Sequence, residues 1–240
     1  MTPQEFARTI DHTLLKPDST RRDCRRICEE ALAHGFAAAC ILPAWVADAA
    51  EILDGSNVAV CTVIGFPHGI APTGAKVAEA HTVIADGASE VDMVINISAL
   101  KSGSDLLVFQ DIDEVVDAAA PGGAIVKVIL ECALLTDEEK VRACRMCVEA
   151  GAAFVKTSTG FAPRSPAGTD GGGATLADVA LMKQTVEGEA KIKAAGGIRT
   201  VENAVAMLNA GADRLGTSAG VELVAAYRAG NVAGLVGGTY

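Results

Sequence analysis

The sequence predicts an α/β chain folded as a single (β/α)8 TIM barrel with a short N-terminal extension, and three observations carry that expectation. First, a local pattern recurs: an amphipathic helical run closes on a small residue or His plus Gly, and an apolar extended run begins at once. Copies stand at Ala33-His34-Gly35-Phe36, Asp86-Gly87-Ala88, Gly151-Ala152 and Gly211-Ala212, where Gly suits a helix C-cap. Second, the extended runs are continuously apolar, as in Val58-Ala-Val-Cys-Thr-Val-Ile and Ala124-Ile-Val-Lys-Val-Ile-Leu. Parallel strands buried on both faces read that way. Third, the chain has 240 residues, and eight strand-helix units need about 250.

Taken in order, the first extended run covers 9–14 and leads into a helical pattern over 21–34. The second, 36–42, starts directly after the Gly35 cap position. The third, 57–65, is followed by a helical pattern over 76–86, and the fourth, 90–96, starts just past Gly87. The fifth, 124–131, precedes Thr136 and Glu139, a capping-box pair that opens a helix over 137–150. The sixth covers 152–158. The Gly- and Pro-rich stretch 160–173 then reads as a long loop and not as a domain boundary. The seventh run, 191–196, is separated from the eighth, 213–218, by a helical pattern over 201–210. These helical patterns are long enough for parallel crossovers. A doubly wound open sheet is the competing architecture, but no G-x-G-x-x-G follows the first strand. No linker or low-complexity segment divides the chain, so residues 1–240 are expected to form one domain.

Composition narrows the function. Half of the residues are apolar, 21% are charged and 4% aromatic, which excludes a disordered or fibrous chain. Twenty Lys and Arg against thirty Asp and Glu give a net charge of -10, so the surface repels polyanions and nucleic acid is not an expected partner. A small phosphorylated ligand stays compatible, because backbone N–H groups and one or two cations bind a phosphate locally. The longest apolar stretch, 36–47, is broken by Pro43 and falls short of the roughly 20 residues of a membrane span. The N-terminus lacks the basic start and apolar core of a signal peptide, so no membrane partner is expected and the cytoplasm is the expected location. The seven Cys are odd in number and scattered, which argues for reduced thiols over a disulfide framework.

Charges appear where buried strands should be apolar. Lys127 lies within Ile-Val-Lys-Val-Ile-Leu, Lys156 within Phe-Val-Lys-Thr-Ser, Lys193 within Lys-Ile-Lys-Ala-Ala, and Asp92 within Glu-Val-Asp-Met-Val-Ile. Lys and Asp are rarely buried without partners, so the four imply a shared polar interior near the strand ends. A structural ion-pair network is the plain reading of any one of them. Chemistry gives a sharper one. An amine of pKa about 10.4 is neutral in only about 0.04% of molecules at pH 7, whereas one lowered to about 7 is half neutral and nucleophilic. Burial and a second ammonium both push in that direction. Lys156 and Lys193 fall on neighbouring strands six and seven, so each can be the other's cationic neighbour at a Schiff-base site. Asp92 on strand four can relay protons there.

A separate signal concerns phosphate. Gly196-Gly197-Ile198-Arg199 follows strand seven and leads into a helix, and Gly216-Thr217-Ser218-Ala219-Gly220 follows strand eight and opens another. These two loops are the usual phosphate site of the barrel fold, and glycine lets backbone amides approach the anion.

At this point the chain resembles the deoxyribose-phosphate aldolase family, from about residue 9 to residue 222. The resemblance rests on Asp11-His-Thr-Leu-Leu-Lys-Pro, Val63-Ile-Gly-Phe-Pro-His-Gly, Glu90-Val-Asp-Met-Val-Ile-Asn, Val126-Lys-Val-Ile-Leu-Glu, Phe154-Val-Lys-Thr-Ser-Thr-Gly-Phe, Lys193-Ala-Ala-Gly-Gly-Ile-Arg-Thr and Leu215-Gly-Thr-Ser-Ala-Gly. It implies a cofactor-free class I aldolase, without metal, that reversibly cleaves 2-deoxy-D-ribose 5-phosphate to D-glyceraldehyde 3-phosphate and acetaldehyde in deoxyribonucleotide and carbohydrate catabolism. It further implies that Lys156 forms the Schiff base, that Lys193 tunes it and that Asp92 relays protons. Gly196, Gly197, Gly216, Ser218 and Ala219 would hold the phosphate with Arg199 nearby, and Asp11, Thr157 and Lys127 would assist in substrate binding, Lys127 by tying down Asp92. Some members use a C-terminal Tyr in proton transfer, which points to Tyr240. A homo-oligomer, dimer or tetramer, is the expected assembly. The stretch 162–173 is longer and richer in Pro and Gly than the family's link.

Other motifs carry less. Cys144-Arg-Met-Cys147 sits inside a helical pattern with no second pair at zinc spacing, and Cys24 and Cys28 read the same way. His12 and His68 near strand ends would suit a metal-dependent aldolase, but no carboxylate is paired with them. Cys40 in strand two is expected to face the barrel interior as a small hydrophobe. An isomerase or another Schiff-base lyase on the same barrel, and a catalytically silent phosphosugar-binding barrel, are the competing functions, since fold alone does not set chemistry.

Overall fold

A computed structural model describes residues 1–162 and 172–230. Eight parallel strands, β1 (Ile10–Leu14), β2 (Ala38–Ile41), β3 (Ala59–Ile64), β4 (Glu90–Val94), β5 (Ile125–Ile129), β6 (Phe154–Lys156), β7 (Lys191–Ala195) and β8 (Arg214–Thr217), pair in sequence order. β8 pairs with β1, closing the barrel. Each strand lies inside the run that its apolar stretch predicts. Some flanking residues of those runs extend the inter-strand bonding before the turns begin, as when Ile95, Leu130 and Thr157 donate their N–H groups to the carbonyls of Ile129, Lys156 and Lys193.

Ten α-helices are present among the described residues: α1 (Pro3–Ala7), α2 (Arg21–His34), α3 (Val46–Leu53), α4 (Thr73–Ala85), α5 (Ile97–Lys101), α6 (Asp105–Ala119), α7 (Asp137–Glu149), α8 (Leu176–Val186), α9 (Val201–Asn209) and α10 (Gly220–Arg228). Their ends follow local chemistry. Thr136 and Glu139 form the expected capping box at α7, Thr20 and Asp23 form another at α2, and α2 ends on Gly35 at φ 65°. The N-terminal extension is α1. It buries Phe6 and Ala7, stacks Phe6 on Tyr227 of α10 at 4.3 Å, and receives the Tyr227 hydroxyl on the Met1 carbonyl at 2.8 Å. No helix among the described residues is long and apolar enough to cross a membrane.

The main apolar core lies between strands and helices and includes Ile41, Ile64, Met93, Leu100 and Ile112. A second, smaller cluster of Leu15, Ala38, Cys40, Cys61 and Val63 occupies the barrel interior on the β1–β3 side. The alternation of strand side chains explains the other half: Glu90 and Asp92 are two residues apart on β4 and point the same way. Their register sets Asp92 beside Lys127 on β5, Lys156 of β6 beside Lys193 of β7, and Lys193 beside Arg214 of β8. The interior is therefore apolar on one side and charged on the other.

Candidate active site

The charged half of the barrel is organised on Asp92. Lys156 Nζ and Lys193 Nζ each donate to Asp92 Oδ2 at 2.7 Å, and Lys127 Nζ donates to Asp92 Oδ1 at 2.7 Å. Behind this trio lies a second tier. Lys193 Nζ is 2.5 Å from Asp11 Oδ2, Lys127 Nζ is 2.7 Å from Glu90 Oε2, and Arg214 Nη1 donates to Asp11 Oδ1 at 2.6 Å. Every one of these charges would be costly alone, and their mutual pairing is what permits burial. Gly216 makes room for the arrangement, since a Cβ there would lie 3.2 Å from Lys193 Cε.

The electrostatics follow from burial opposed by partners. Burial alone would push the Asp92 carboxyl up, but the ammoniums of Lys127, Lys156 and Lys193 overcome it and hold Asp92 well below the ordinary carboxylate range. Asp11 is likewise held down, against burial, by Lys193, Lys127 and Arg214. In the other direction burial would lower Lys193, yet Asp11 and Asp92 raise it above the ordinary lysine value, and Asp92 chiefly does the same for Lys127. Both acids are thus fixed as anions, and Lys127 and Lys193 as cations, around neutral pH.

Above this layer a cleft of about 360 Å³ opens at the C-terminal end of the strands. Lys156 lines it, together with Thr159, Gly196, Gly197, Arg199, Gly216 and Ser218. Lys127 and Lys193 have no exposed surface, and of the three lysines on Asp92 only Lys156 reaches the cleft. Two exposed cations, Lys16 and Arg199, flank the opening. Gly196 and Gly197 adopt φ values of 89° and 78°, a backbone that side chains disfavour. Gly173 packs against Gly196 so closely that a Cβ would meet its carbonyl oxygen at 2.4 Å.

Most of the residues expected from sequence therefore converge, with distinct placements. Asp92, Lys156 and Lys193 meet directly, and Gly196, Gly197, Arg199, Gly216 and Ser218 line the cleft above them. Asp11 and Lys127 are fully buried beneath the cleft, their charges engaged by the network. Thr157 is also buried, donating to the Ala195 carbonyl at 3.1 Å and accepting from the Ala195 amide at 3.0 Å, so its hydroxyl pins β6 to β7. Ala219 does not line the cleft. It precedes α10, and its amide donates to Thr217 Oγ1 at 3.0 Å. Tyr240 and most of the stretch 162–173 lie outside the described residues. Contrary to the sequence expectation, His12 does have a carboxylate partner, Glu30 at 2.6 Å, supplied by the following helix α2 and away from the cleft, while His68 is exposed. All seven cysteines are free and buried, Cys144 and Cys147 within α7 and Cys40 in the interior.

Sequence reasoning passed over Glu90, Arg214 and Lys16. Glu90 and Arg214 open β4 and β8, at the edges of their apolar runs, so the criterion that found Lys127, a charge inside an apolar strand, does not single them out. Lys16 sits past the end of β1, where nothing marks it as facing the cleft.

Two trios bring metal-type donor atoms within 4.8 Å of one another: Cys40, Cys61 and Asp92, and Asp11, Cys61 and Glu90. Both fit a cation poorly. Their carboxylates already face ammonium groups, and burial, the Cys40 contact and Asp92 raise the Cys61 thiol, disfavouring the thiolate that a metal needs.

Comparison with known proteins agrees with this geometry. The chain is 54% identical over 219 residues to the deoxyribose-phosphate aldolase of Geobacillus sp. (strain WCH70), covering 91% of this chain and 94% of that one. It is 51% identical over 227 residues to the deoxyribose-phosphate aldolase of Methanothermobacter thermautotrophicus, covering 95% and 97%. Among solved structures, the tetrameric deoxyribose phosphate aldolase from Aeropyrum pernix superposes with a TM-score of 0.85 at 34% identity, over 95% of this chain and 92% of that one. With the DeoC/LacD family aldolase model matching residues 6–236, this chain belongs to the DeoC/LacD family of aldolases.

Proposed function

We propose that this aldolase cleaves 2-deoxy-D-ribose 5-phosphate reversibly into D-glyceraldehyde 3-phosphate and acetaldehyde through a Schiff base on Lys156. The observation that carries the reading is the position of Lys156, the one lysine of the Asp92 cluster that lines the cleft. The names of the relatives supply the substrate class. The cations Lys16 and Arg199 and the glycines at 196 and 197 supply the chemistry for its phosphate.

Charge balance favours the chemistry. The cluster holds three carboxylates, Asp11, Glu90 and Asp92, against four cationic groups, Lys127, Lys156, Lys193 and Arg214. One lysine can therefore be the neutral amine and leave the rest paired. Neutral Lys156 attacks the C1 carbonyl of the open-chain sugar, and the carbinolamine loses water to give an iminium ion. Removal of the C3 hydroxyl proton breaks the C2–C3 bond, releasing glyceraldehyde 3-phosphate and leaving its electron pair in an enamine. Protonation at C2 and hydrolysis release acetaldehyde and free the amine. Asp92, 2.7 Å from Nζ, and Lys193 beside it are the groups within reach to carry these protons through bound water.

Residues 1–240 act in this reading as one barrel domain in the cytoplasm, serving deoxyribonucleotide catabolism, and the seven free thiols suit a reducing compartment. A homo-oligomer is proposed by analogy with the Aeropyrum protein. Tyr240 is proposed to assist proton transfer at acetaldehyde. Its deletion is expected to slow methyl-proton exchange.

The decisive experiment treats the protein with acetaldehyde and borohydride in the presence of chelator and maps the adduct by peptide mass. An ethyl group on Lys156, absent in Lys156→Arg, is the expected result. No adduct, or label spread over surface lysines, overturns the reading.

A further inference from the structure

Among the described residues only two that are not glycine have positive φ, Glu131 at 58° and Glu187 at 49°. Glu187 is exposed and closes α8, where a left-handed cap is ordinary. Glu131 is different. It is buried, it follows β5, and it stands where the β5–β6 ladder ends, between Leu130, whose amide donates to the Lys156 carbonyl, and Cys132, whose amide donates to the Thr157 carbonyl. Glycine would adopt this backbone with less strain. The reason for a glutamate lies in its side chain.

The hydrogen bonds of that side chain go to one residue. Thr159 donates its amide to Glu131 Oε2 at 3.2 Å and its hydroxyl to the same oxygen. The Thr159 hydroxyl in turn accepts the Phe161 amide at 3.0 Å, and the Phe161 ring meets Phe66, from the loop after β3, edge-on at 5.2 Å. Thr159, Gly160 and Phe161 line the cleft beside Lys156. A single buried carboxylate thus organises the wall that joins the Lys156 strand to the far side of the mouth. Burial raises the Glu131 carboxyl, opposed by the Thr159 bonds and, more weakly, by the Lys156 ammonium. A carboxylate in such a place is kept by its partners.

We infer that Glu131 is a positioning residue of the aldolase site, using its left-handed backbone to hold Thr159 and, through it, the cleft wall 159–161. The inference rests on the Schiff-base reading of Lys156 for its assay, though not for its geometry.

Glu131→Gly removes the carboxylate while keeping the backbone conformation favourable, so the effect on the site separates from the effect on folding. The expected result is a melting temperature equal to or above that of the wild type, undiminished borohydride trapping of acetaldehyde on Lys156, and a KM for the sugar phosphate raised about tenfold. Glu131→Gln keeps an acceptor oxygen for Thr159 and is expected to stay within about threefold of wild-type kcat/KM. Thr159→Val is expected to raise KM as Glu131→Gly does, and the double variant is expected to lose no more than the worse single one, because both remove the same link.

A Glu131→Gly enzyme with unchanged KM overturns the inference, as do additive losses in the double variant. A Gln variant as impaired as the Gly variant also overturns it, by assigning the effect to charge. Should Glu131→Gly fail to fold, a Thr159→Val enzyme with normal KM overturns it alone. Failure of the Schiff-base reading is seen separately, as absence of trapping in the wild type.

Discussion

Lys156 and Lys193 meet on one oxygen: each Nζ lies 2.7 Å from Asp92 Oδ2. The carboxylate keeps the two ammoniums together while Asp11 takes the other side of Lys193. Coupling of this kind makes Asp92 a structural counterion, the proposed mechanism would add a role in proton transfer, and the two roles are separable by measurement.

Asp92→Asn removes the anion and keeps the shape. Lys127, Lys156 and Lys193 then share a buried site with one carboxylate fewer, only Asp11 and Glu90 remaining, and breaking a buried ion pair costs about 3–5 kcal/mol. Loss of a proton-transfer group costs about 10²–10⁴ in rate. The variant is expected to unfold at lower temperature and to lose at least about 10² in kcat for retro-aldol cleavage. Wild-type kcat in a destabilised Asp92→Asn protein would assign Asp92 a structural role alone.

Stability should depend on pH in a way that the site dictates. Asp11 and Asp92 have lowered values in the fold, so their contribution is complete above the unfolded value of about 3.9 and is lost as pH falls toward the folded values. Lys127 and Lys193 have raised values, so theirs is complete below about 10.4 and is lost as pH rises through the folded values. His12 adds an earlier acid step: burial outweighs Glu30 and lowers it, so the unfolded chain takes up this proton first as pH falls below about 6.5. The melting temperature is expected to be flat between about pH 7 and 8, to fall on the acid side in two stages, and to fall again above about 8.5, where the unfolded chain ionises thiols such as Cys61, Cys132 and Cys147 that burial keeps protonated in the fold. A melting temperature that rises from pH 7 to pH 4 would contradict this assignment.

How far the sequence carries this reading depends on the kind of signal. Strand positions were legible because a strand buried on both faces must be apolar throughout, and for the same reason Lys127, Lys156, Lys193 and Asp92 stood out as exceptions. The register that sets Lys156 beside Lys193 follows from strand order. The second tier was harder. Arg214 opens β8 at the edge of a run, where a charge is unremarkable, and only barrel closure brings it to Asp11. Glu131 was harder still, because its meaning lies in a φ angle that a single sequence does not display.

Lys76 is the clearest case of a pair hidden from sequence. It sits on α4, where a lysine reads as solvated, yet it is fully buried, donating to Asp111 Oδ2 on α6 at 2.5 Å and to the Val94 carbonyl at 2.9 Å. Thr73 donates to the other Asp111 oxygen at 3.0 Å. Lys76→Met leaves Asp111 buried without its cation and is expected to cost about 3–5 kcal/mol, while Lys76→Met with Asp111→Leu is expected to regain most of it. Chemical denaturation of both variants measures this. Equal losses in the single and double variants would show that the pair's hydrogen bonds, and not its charge balance, carry the stability.

The contact between Gly173 and Gly196 tests the phosphate end independently of the lysines. A Cβ on residue 173 would come within 2.4 Å of the Gly196 carbonyl oxygen and 2.8 Å of its carbon, both backbone atoms with no rotamer to change. Gly173→Ala must therefore displace the 196–197 turn, at a cost of about 1–3 kcal/mol for overpacking. In the control Gly74→Ala, on α4, a Cβ meets nothing within 4 Å, and the helical position is expected to gain a few tenths of a kcal/mol, up to about 1. If the 196–197 turn binds phosphate, Gly173→Ala raises KM for the sugar phosphate about tenfold and leaves trapping of acetaldehyde on Lys156 intact, because acetaldehyde carries no phosphate. Equal loss of both activities would instead place the disturbance at Lys156 through Ala195 and β7, and an unchanged KM would remove this turn from the phosphate site.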